Sequence, residues 1–154
     1  MRRLTLEILA AAALTLAAII ASAHGVMASG VLVQQAFARA SATPMATAGV
    51  VYATIANRGQ AADRLISIAT PAAAMASLHE TRDENGTTSM APVSALDLPA
   101  GATVVLKPGG LHIMLMQLRA PLKQGTTIRL DFTFEKSGMV GVEVPVKGVA
   151  ASAP

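Results

Sequence analysis

In "VGVEVPV" (140–146), Val140, Val142, Val144 and Val146 alternate with Gly141, Glu143 and Pro145. Successive side chains of an extended chain point to opposite faces, so this period of two predicts a half-buried strand. "TIRLDFTFEK" (127–136) repeats the pattern, setting Ile128, Leu130, Phe132 and Phe134 against Arg129, Asp131, Thr133 and Glu135. "TAGVVYATIAN" (47–57) is rich in β-branched residues and reads as a further strand. Turn signals punctuate the chain: Asn57-Arg58-Gly59, Glu84-Asn85-Gly86, Pro99-Ala100-Gly101, Lys107-Pro108-Gly109-Gly110, Lys123-Gln124-Gly125 and Lys136-Ser137-Gly138. Short strands with turns about every 8–12 residues predict an all-β fold, an antiparallel sandwich or barrel. The Ala-rich "PAAAMAS" (71–77) is read as a single helical turn, kept short by Pro71 and by the strand-like "LHET" after it.

Composition adds a leader to this picture. Met1–Ala23 has a basic start in Arg2 and Arg3, an apolar run over 8–20 and the small-x-small pattern Ala21-Ser22-Ala23. These are the parts of a secretory signal peptide, and the run is shorter than the ~20 residues a spanning helix needs. Val26-Met27-Ala28 offers a second cleavage point, so the mature chain is expected to begin at His24 or Ser29. Export predicts a periplasmic protein with no membrane span once the leader is gone. The domain proper is then 24–147, and the small, uncharged tail 148–154 is expected to be disordered.

Charge excludes one class of partner. Without the leader the twelve Lys and Arg fall to ten and the nine Asp and Glu to eight, leaving a small positive balance. With one Tyr and three Phe for stacking, nucleic acid is not an expected partner. The chain has no cysteine, although an oxidising compartment would allow disulfides. A domain of roughly this size can bury enough core to fold without them.

The candidate chemistry lies in "GGLHIMLMQL" (109–118). In an extended chain His112, Met114 and Met116 share one face, with Ile113, Leu115 and Gln117 on the other. His79 and Met90 flank Asn85-Gly86, a preferred two-residue hairpin turn, at nearly equal distances. A hairpin closing there sets them side by side, so two strand pairs can present two imidazoles and two thioethers to one point. Thioether sulfur is a poor ligand for Mg²⁺, Ca²⁺ or Zn²⁺ and a good one for Cu(I), which imidazole also suits. A blue-copper electron carrier is excluded, because it needs a cysteine thiolate. Met116 lies about 6.7 Å beyond Met114 along a strand, and it and Met75 are expected to pack as core.

The spacing His-x10-Met-x21-His-x-Met resembles the signature of the periplasmic copper chaperones of the PCu(A)C family. "ARAS" (38–41), "ADRL" (62–65), "LHET" (78–81), "LKPGGLHIML" (106–115), "PLKQG" (121–125), "TFEKSG" (133–138) and "VEVPV" (142–146) resemble it too, over roughly 30–147. The resemblance implies a cupredoxin-like fold and one Cu(I) held by His79, Met90, His112 and Met114. It also implies a non-enzymatic role: delivering copper to the CuA centre of cytochrome c oxidase subunit II, with a thiol-type copper chaperone as a second candidate partner. Phe37 stands where many members carry Trp, and the tail lacks the His- and Met-rich extension of some members. Two rival readings stand beside this one: a copper-dependent redox protein or reductant, and a structural β-module whose His and Met are incidental. A chain beginning at His24 would also offer an α-amine and an imidazole to Cu(II); one beginning at Ser29 would not.

Overall fold

The computed structural model describes residues 26–28 and 30–153. The leader Met1–Ala23 and His24 lie outside the described residues. Among the described residues every regular element is a strand: β1 (Val26–Ala28), β2 (Val31–Arg39), β3 (Ala48–Asn57), β4 (Asp63–Ala69), β5 (Ala73–Glu84), β6 (Thr87–Val93), β7 (Leu96–Leu98), β8 (Thr103–Leu106), β9 (Leu111–Leu118), β10 (Thr127–Phe134) and β11 (Gly138–Lys147). The three runs read as strands in the sequence are β3, β10 and β11.

Seven strands close a ring in the order β2, β3, β9, β5, β4, β10, β11 and back to β2; β1, β6, β7 and β8 pair onto it. The all-β expectation holds, but the expectation of uniformly antiparallel pairing needs one correction. β11 runs parallel to β2, through Val146↔Ala38 and Lys147↔Arg39. The reason is topological. A closed ring with an odd number of strands cannot alternate direction all the way round, so one pair must be parallel. Closure also leaves the ring strands without a free edge.

Alternation fills the interior. β10 contributes Leu130, Phe132 and Phe134, and β11 contributes Val140, Val142, Val144 and Val146; all seven are buried. Val31, Val33, Val51, Ile55, Leu78, Ile113 and Leu115 belong to the same cluster. At ~25 cal/mol per Å² of apolar surface removed from water, this core is the main source of stability. The helical turn expected at 71–77 is absent: Ala73–Ser77 begin β5. There Met75 and Ala76 pair with Met116 and Leu115 of β9, and pairing on a sheet outweighs the modest helix preference of alanine.

One corner is polar. Asn57, at the end of β3, donates from Nδ2 to the carbonyls of Ala61 (2.8 Å) and Leu98 (2.9 Å), and its Oδ1 accepts from Gly59 N–H (2.9 Å). Beside it Asp63 accepts from Arg64 N–H (2.7 Å), Lys136 N–H (2.9 Å), Ser137 N–H (2.9 Å) and the Ser137 hydroxyl (2.6 Å). Past β11, Ala151 N–H donates to Gly148 O, and Ala151 O accepts from Arg39 Nε at 2.6 Å. Among the described residues no helix is long and apolar enough to cross a membrane.

Candidate metal centre

The four candidate ligands lie on the outer face of three adjacent strands, β6, β5 and β9. Asn85 (φ 54°) and Gly86 (φ 80°) both take the left-handed conformation. That is what a type I′ hairpin turn requires, and Asn-Gly supplies it at little cost. The turn locks Glu84 to Thr87, so the register that follows sets Thr81 opposite Met90 and His79 opposite Pro92. His79 and Met90 are therefore not side by side, as expected from the sequence, but diagonal. The offset is two residues, an even number, so both still project from one face.

On its other side β5 pairs with β9, and here His79 and His112 are direct partners. Directly opposed residues of an antiparallel pair have Cβ atoms ~4.5–5.5 Å apart. The two imidazole centroids lie 6.2 Å apart, tilted by 30°. One rung further along, Met114 opposes Ser77. The face turned inward at this point carries Leu78, Ile113 and Leu115, all buried. His79, Met90, His112 and Met114 thus share the outward face: the histidines form the central rung, and the methionines stand at opposite corners.

The hydrogen bonds around the two rings differ. His112 is only 4% exposed. Its Nδ1 lies 2.9 Å from the Gly110 carbonyl, which also accepts from Thr81 N–H at 3.1 Å. The carbonyl is thereby tied to β5, and since it can only accept, it fixes the proton on Nδ1. Nε2 carries the free lone pair, and it is the buried side-chain nitrogen or oxygen that has no hydrogen-bond partner among the described residues. Leaving such an atom unpaired costs about 1–3 kcal/mol. Metal-ligating histidines commonly hold their second nitrogen on a backbone carbonyl in this way, so the orphaned Nε2 fits a metal ion. His79 is half-buried, and its Nε2 sits 3.0 Å from Ser77 Oγ.

Neither methionine is fully buried. Met114 is partly buried and Met90 is 59% exposed. No three His, Cys, Asp or Glu side chains gather at any point among the described residues. A hard-cation site is therefore not built here, while two imidazoles with two thioethers make a soft donor set.

Three features of this face escaped sequence reasoning. Ser77 was not singled out, although its place two residues before His79 on a strand puts it on the same face. The Gly110 carbonyl contributes through the backbone and carries no side-chain signal. Met75 and Met116, expected in the core, are direct partners on the outward face, with Met75 48% exposed and Met116 half-buried.

Comparison with known proteins agrees with this architecture. Residues 31–146 match the model of a family described as "Putative lipoprotein LpqE-like". A relative in Leifsonia xyli subsp. xyli, named "Putative lipoprotein Lxx21020", is 37% identical over 128 residues, which cover 82% of this chain and 75% of that one. Among solved structures, apo DR1885 from Deinococcus radiodurans is 32% identical, with 84% of this chain and 86% of that one covered at a TM-score of 0.60. The same protein has also been solved as CuI-DR1885, which is 31% identical with a TM-score of 0.57, covering 73% of this chain and 76% of that one. The copper-bound PCuAC domain from PmoF2 shares the fold at a TM-score of 0.69 and 22% identity, over 81% of this chain and 98% of that domain. The chain belongs to the LpqE-like family and is a protein of the PCu(A)C type.

Proposed function

We propose that this protein is an exported Cu(I)-binding chaperone whose cargo ion is held by His79, Met90, His112 and Met114. The observation that carries the reading is His112 Nε2: buried, without a hydrogen-bond partner among the described residues, its tautomer set by Gly110, on a residue paired directly with His79. The Cu(I) form of DR1885 and the copper-bound PmoF2 domain support the choice of ion. The relative named as a lipoprotein, together with the leader pattern of Met1–Ala23, supports export to the periplasm. These 154 residues contain no cysteine, so none of them can carry a lipid through sulfur.

The donor set suits a carrier. Four neutral ligands leave the single charge of Cu(I) uncompensated, and an anionic thiolate acceptor therefore gains by attacking the bound ion. The exposed Met90 is the ligand a partner reaches first, so exchange begins there and His112 lets go last. Cytochrome c oxidase subunit II, with its CuA site, is the acceptor that the family resemblance implies, and a thiol-type copper chaperone is the second candidate partner. The role we propose is carriage of the ion.

Copper-edge X-ray absorption on protein loaded anaerobically with one equivalent of Cu(I) tests the site. Two nitrogen and two sulfur neighbours are expected, and a shell of nitrogen and oxygen alone would overturn the assignment. Transfer is tested by mixing the loaded protein with the soluble CuA domain of subunit II. Copper found on the CuA domain after the two proteins are separated is expected, and copper retained by the chaperone would remove that acceptor from the proposal.

A further inference from the structure

The row of soft donors does not end at Met114. Two residues on, Met116 continues the same face of β9, and its direct partner on β5 is Met75. Opposed side chains start ~4.5–5.5 Å apart at Cβ, so their two sulfurs can reach one point between the strands. Met114 opposes Ser77, the neighbouring rung, which places it diagonal to Met75 within about 7–8 Å. Three thioethers therefore stand on successive rungs of one face beyond the histidines, with Met114 between the two groups.

Packing does not account for the pair. Met75 is 48% exposed, and both residues line an open cleft of about 370 Å³ with Thr70, Ala73 and Ser77. The cleft runs along the seam between β4 and β5, which share a single register pair, Ile68↔Ala76. Gap-filling methionine belongs inside a core; here flexible thioethers face solvent on the outer wall of the barrel.

We infer that Met75 and Met116, together with Met114, form a second, weaker Cu(I) site that exchanges its ion with the histidine site through Met114. Thioethers select Cu(I) among the common metals, and a set without imidazole binds it less tightly. Successive rungs are about 6.7 Å apart, so an ion passes between the two sites while Met114 sulfur stays bound. A cation is then handed along the face without entering water. The second site is the loading end, open to the cleft, and the histidine rung is the holding end. This inference does not depend on which protein receives the copper.

The test is an anaerobic Cu(I) titration followed through the methionine εCH3 resonances of the full chain. The first equivalent is expected to move Met90 and Met114, and the second, at least tenfold weaker, to move Met75, Met116 and Met114. In M75L/M116L the second equivalent is expected to vanish, with the first unchanged. Both residues lie outside the core, and Met-to-Leu exchanges usually cost less than ~1.5 kcal/mol, so the variant will fold. A run on H79A/H112A separates this site from the proposed histidine site: Met75 and Met116 should still respond to Cu(I) there. Methyl signals of Met75 and Met116 that stay still through two equivalents would overturn the inference, as would a second equivalent that survives in M75L/M116L.

Discussion

His112 and Asp63 are almost equally buried, at 4% and 7% exposure, and both are polar. Their surroundings treat them in opposite ways. Asp63 receives four hydrogen bonds, two on each carboxylate oxygen. His112 receives one contact, on Nδ1, and its Nε2 is left bare. The first pattern closes the corner where β4, the β10–β11 turn and the Asn57 loop meet. The second cannot be a device for stability, because an unpaired buried nitrogen costs free energy. A fold that saturates one buried polar group and starves another is holding the second open for something else.

The strongest way to break this contrast is to exchange the two behaviours by mutation. His112→Leu removes a proposed ligand and also the orphaned nitrogen. Losing a group that only orients a ligand already costs ~10–100-fold in metal affinity, so loss of this ligand is expected to cost about 100-fold or more. Stability of the apo protein in denaturant should stay level or rise, because an unsatisfied group has been replaced by an apolar one. Asn57→Leu should do the reverse. It strands two carbonyls and one N–H, costing about 1–3 kcal/mol for each group left unpaired, while Cu(I) affinity of the folded fraction is unchanged. If His112→Leu unfolds the protein as readily as Asn57→Leu does, the two regions are not different in kind.

Asp63 sharpens the comparison through pH. Burial alone would push its carboxyl pKa up, but the Ser137 hydroxyl and the N–H groups of Lys136, Arg64 and Ser137 outweigh burial and hold it below the ordinary value. A folded pKa below the unfolded one means that the carboxylate stabilises the fold above pH ~4, the unfolded value. That contribution is lost as pH falls through the lower, folded pKa. Asp63→Asn is expected to lower stability at pH 7 by about 1–3 kcal/mol, since an amide turns a donor toward N–H groups that need an acceptor. The loss should shrink at pH 3, where the carboxyl of the unfolded chain, with its ordinary pKa near ~4, already holds its proton. Urea unfolding at both pH values checks this, and an equal loss at both would mean that the carboxylate charge contributes nothing.

These contrasts also mark what could be read from the sequence. Alternation in β10 and β11 identified Leu130, Phe132, Val142 and Val144 as inward-facing, because period two is a local property of the chain. The parallel β2–β11 pair was not legible, since ring closure depends on how many strands take part, and no local pattern encodes that number. For the site, the residue types and their face were legible, and the pairing was not. Two turn residues fix a hairpin register to the residue, so Met90 met Thr81 where simple equidistance suggested His79. Met116 was misplaced because methionine is by default a core filler, although it continues the outward face that Met114 occupies. The Asp63 corner lay in two of the family-like stretches, "ADRL" and "TFEKSG", but its bonding was not legible, because the donors from Arg64, Lys136 and Ser137 are brought together only by the fold.

Among the four proposed ligands, the two corners should weigh less than the central rung. Met90→Leu and Met114→Leu each remove one thioether and keep nearly the same volume. Each is expected to weaken the tight Cu(I) equivalent by roughly tenfold, with the fold retained at a cost below ~1.5 kcal/mol. Met116→Leu should leave that equivalent where it is. Competition with a chromophoric Cu(I) chelator, run beside thermal unfolding, separates the two effects. A loss from Met116→Leu equal to that from Met114→Leu would show that the face is not divided between the two rungs.

The smallest expected effect belongs to Ser77, and its sign is informative. Its hydroxyl lies 3.0 Å from His79 Nε2, on the same face and directly across from Met114. An ion taken by that nitrogen must displace the hydroxyl, so the bond competes with loading and favours release. A neutral hydrogen bond has a net worth of about 0.5–1.5 kcal/mol, so Ser77→Ala should tighten Cu(I) binding by roughly 2- to 10-fold. It should also slow transfer to an acceptor, because the hydroxyl no longer recaptures Nε2 as the ion leaves. Stopped-flow transfer to a thiol chelator measures the rate, and the chelator competition measures the affinity. If Ser77→Ala weakens binding, the hydroxyl orients the ring for the ion, and His79 belongs with His112 as a held ligand.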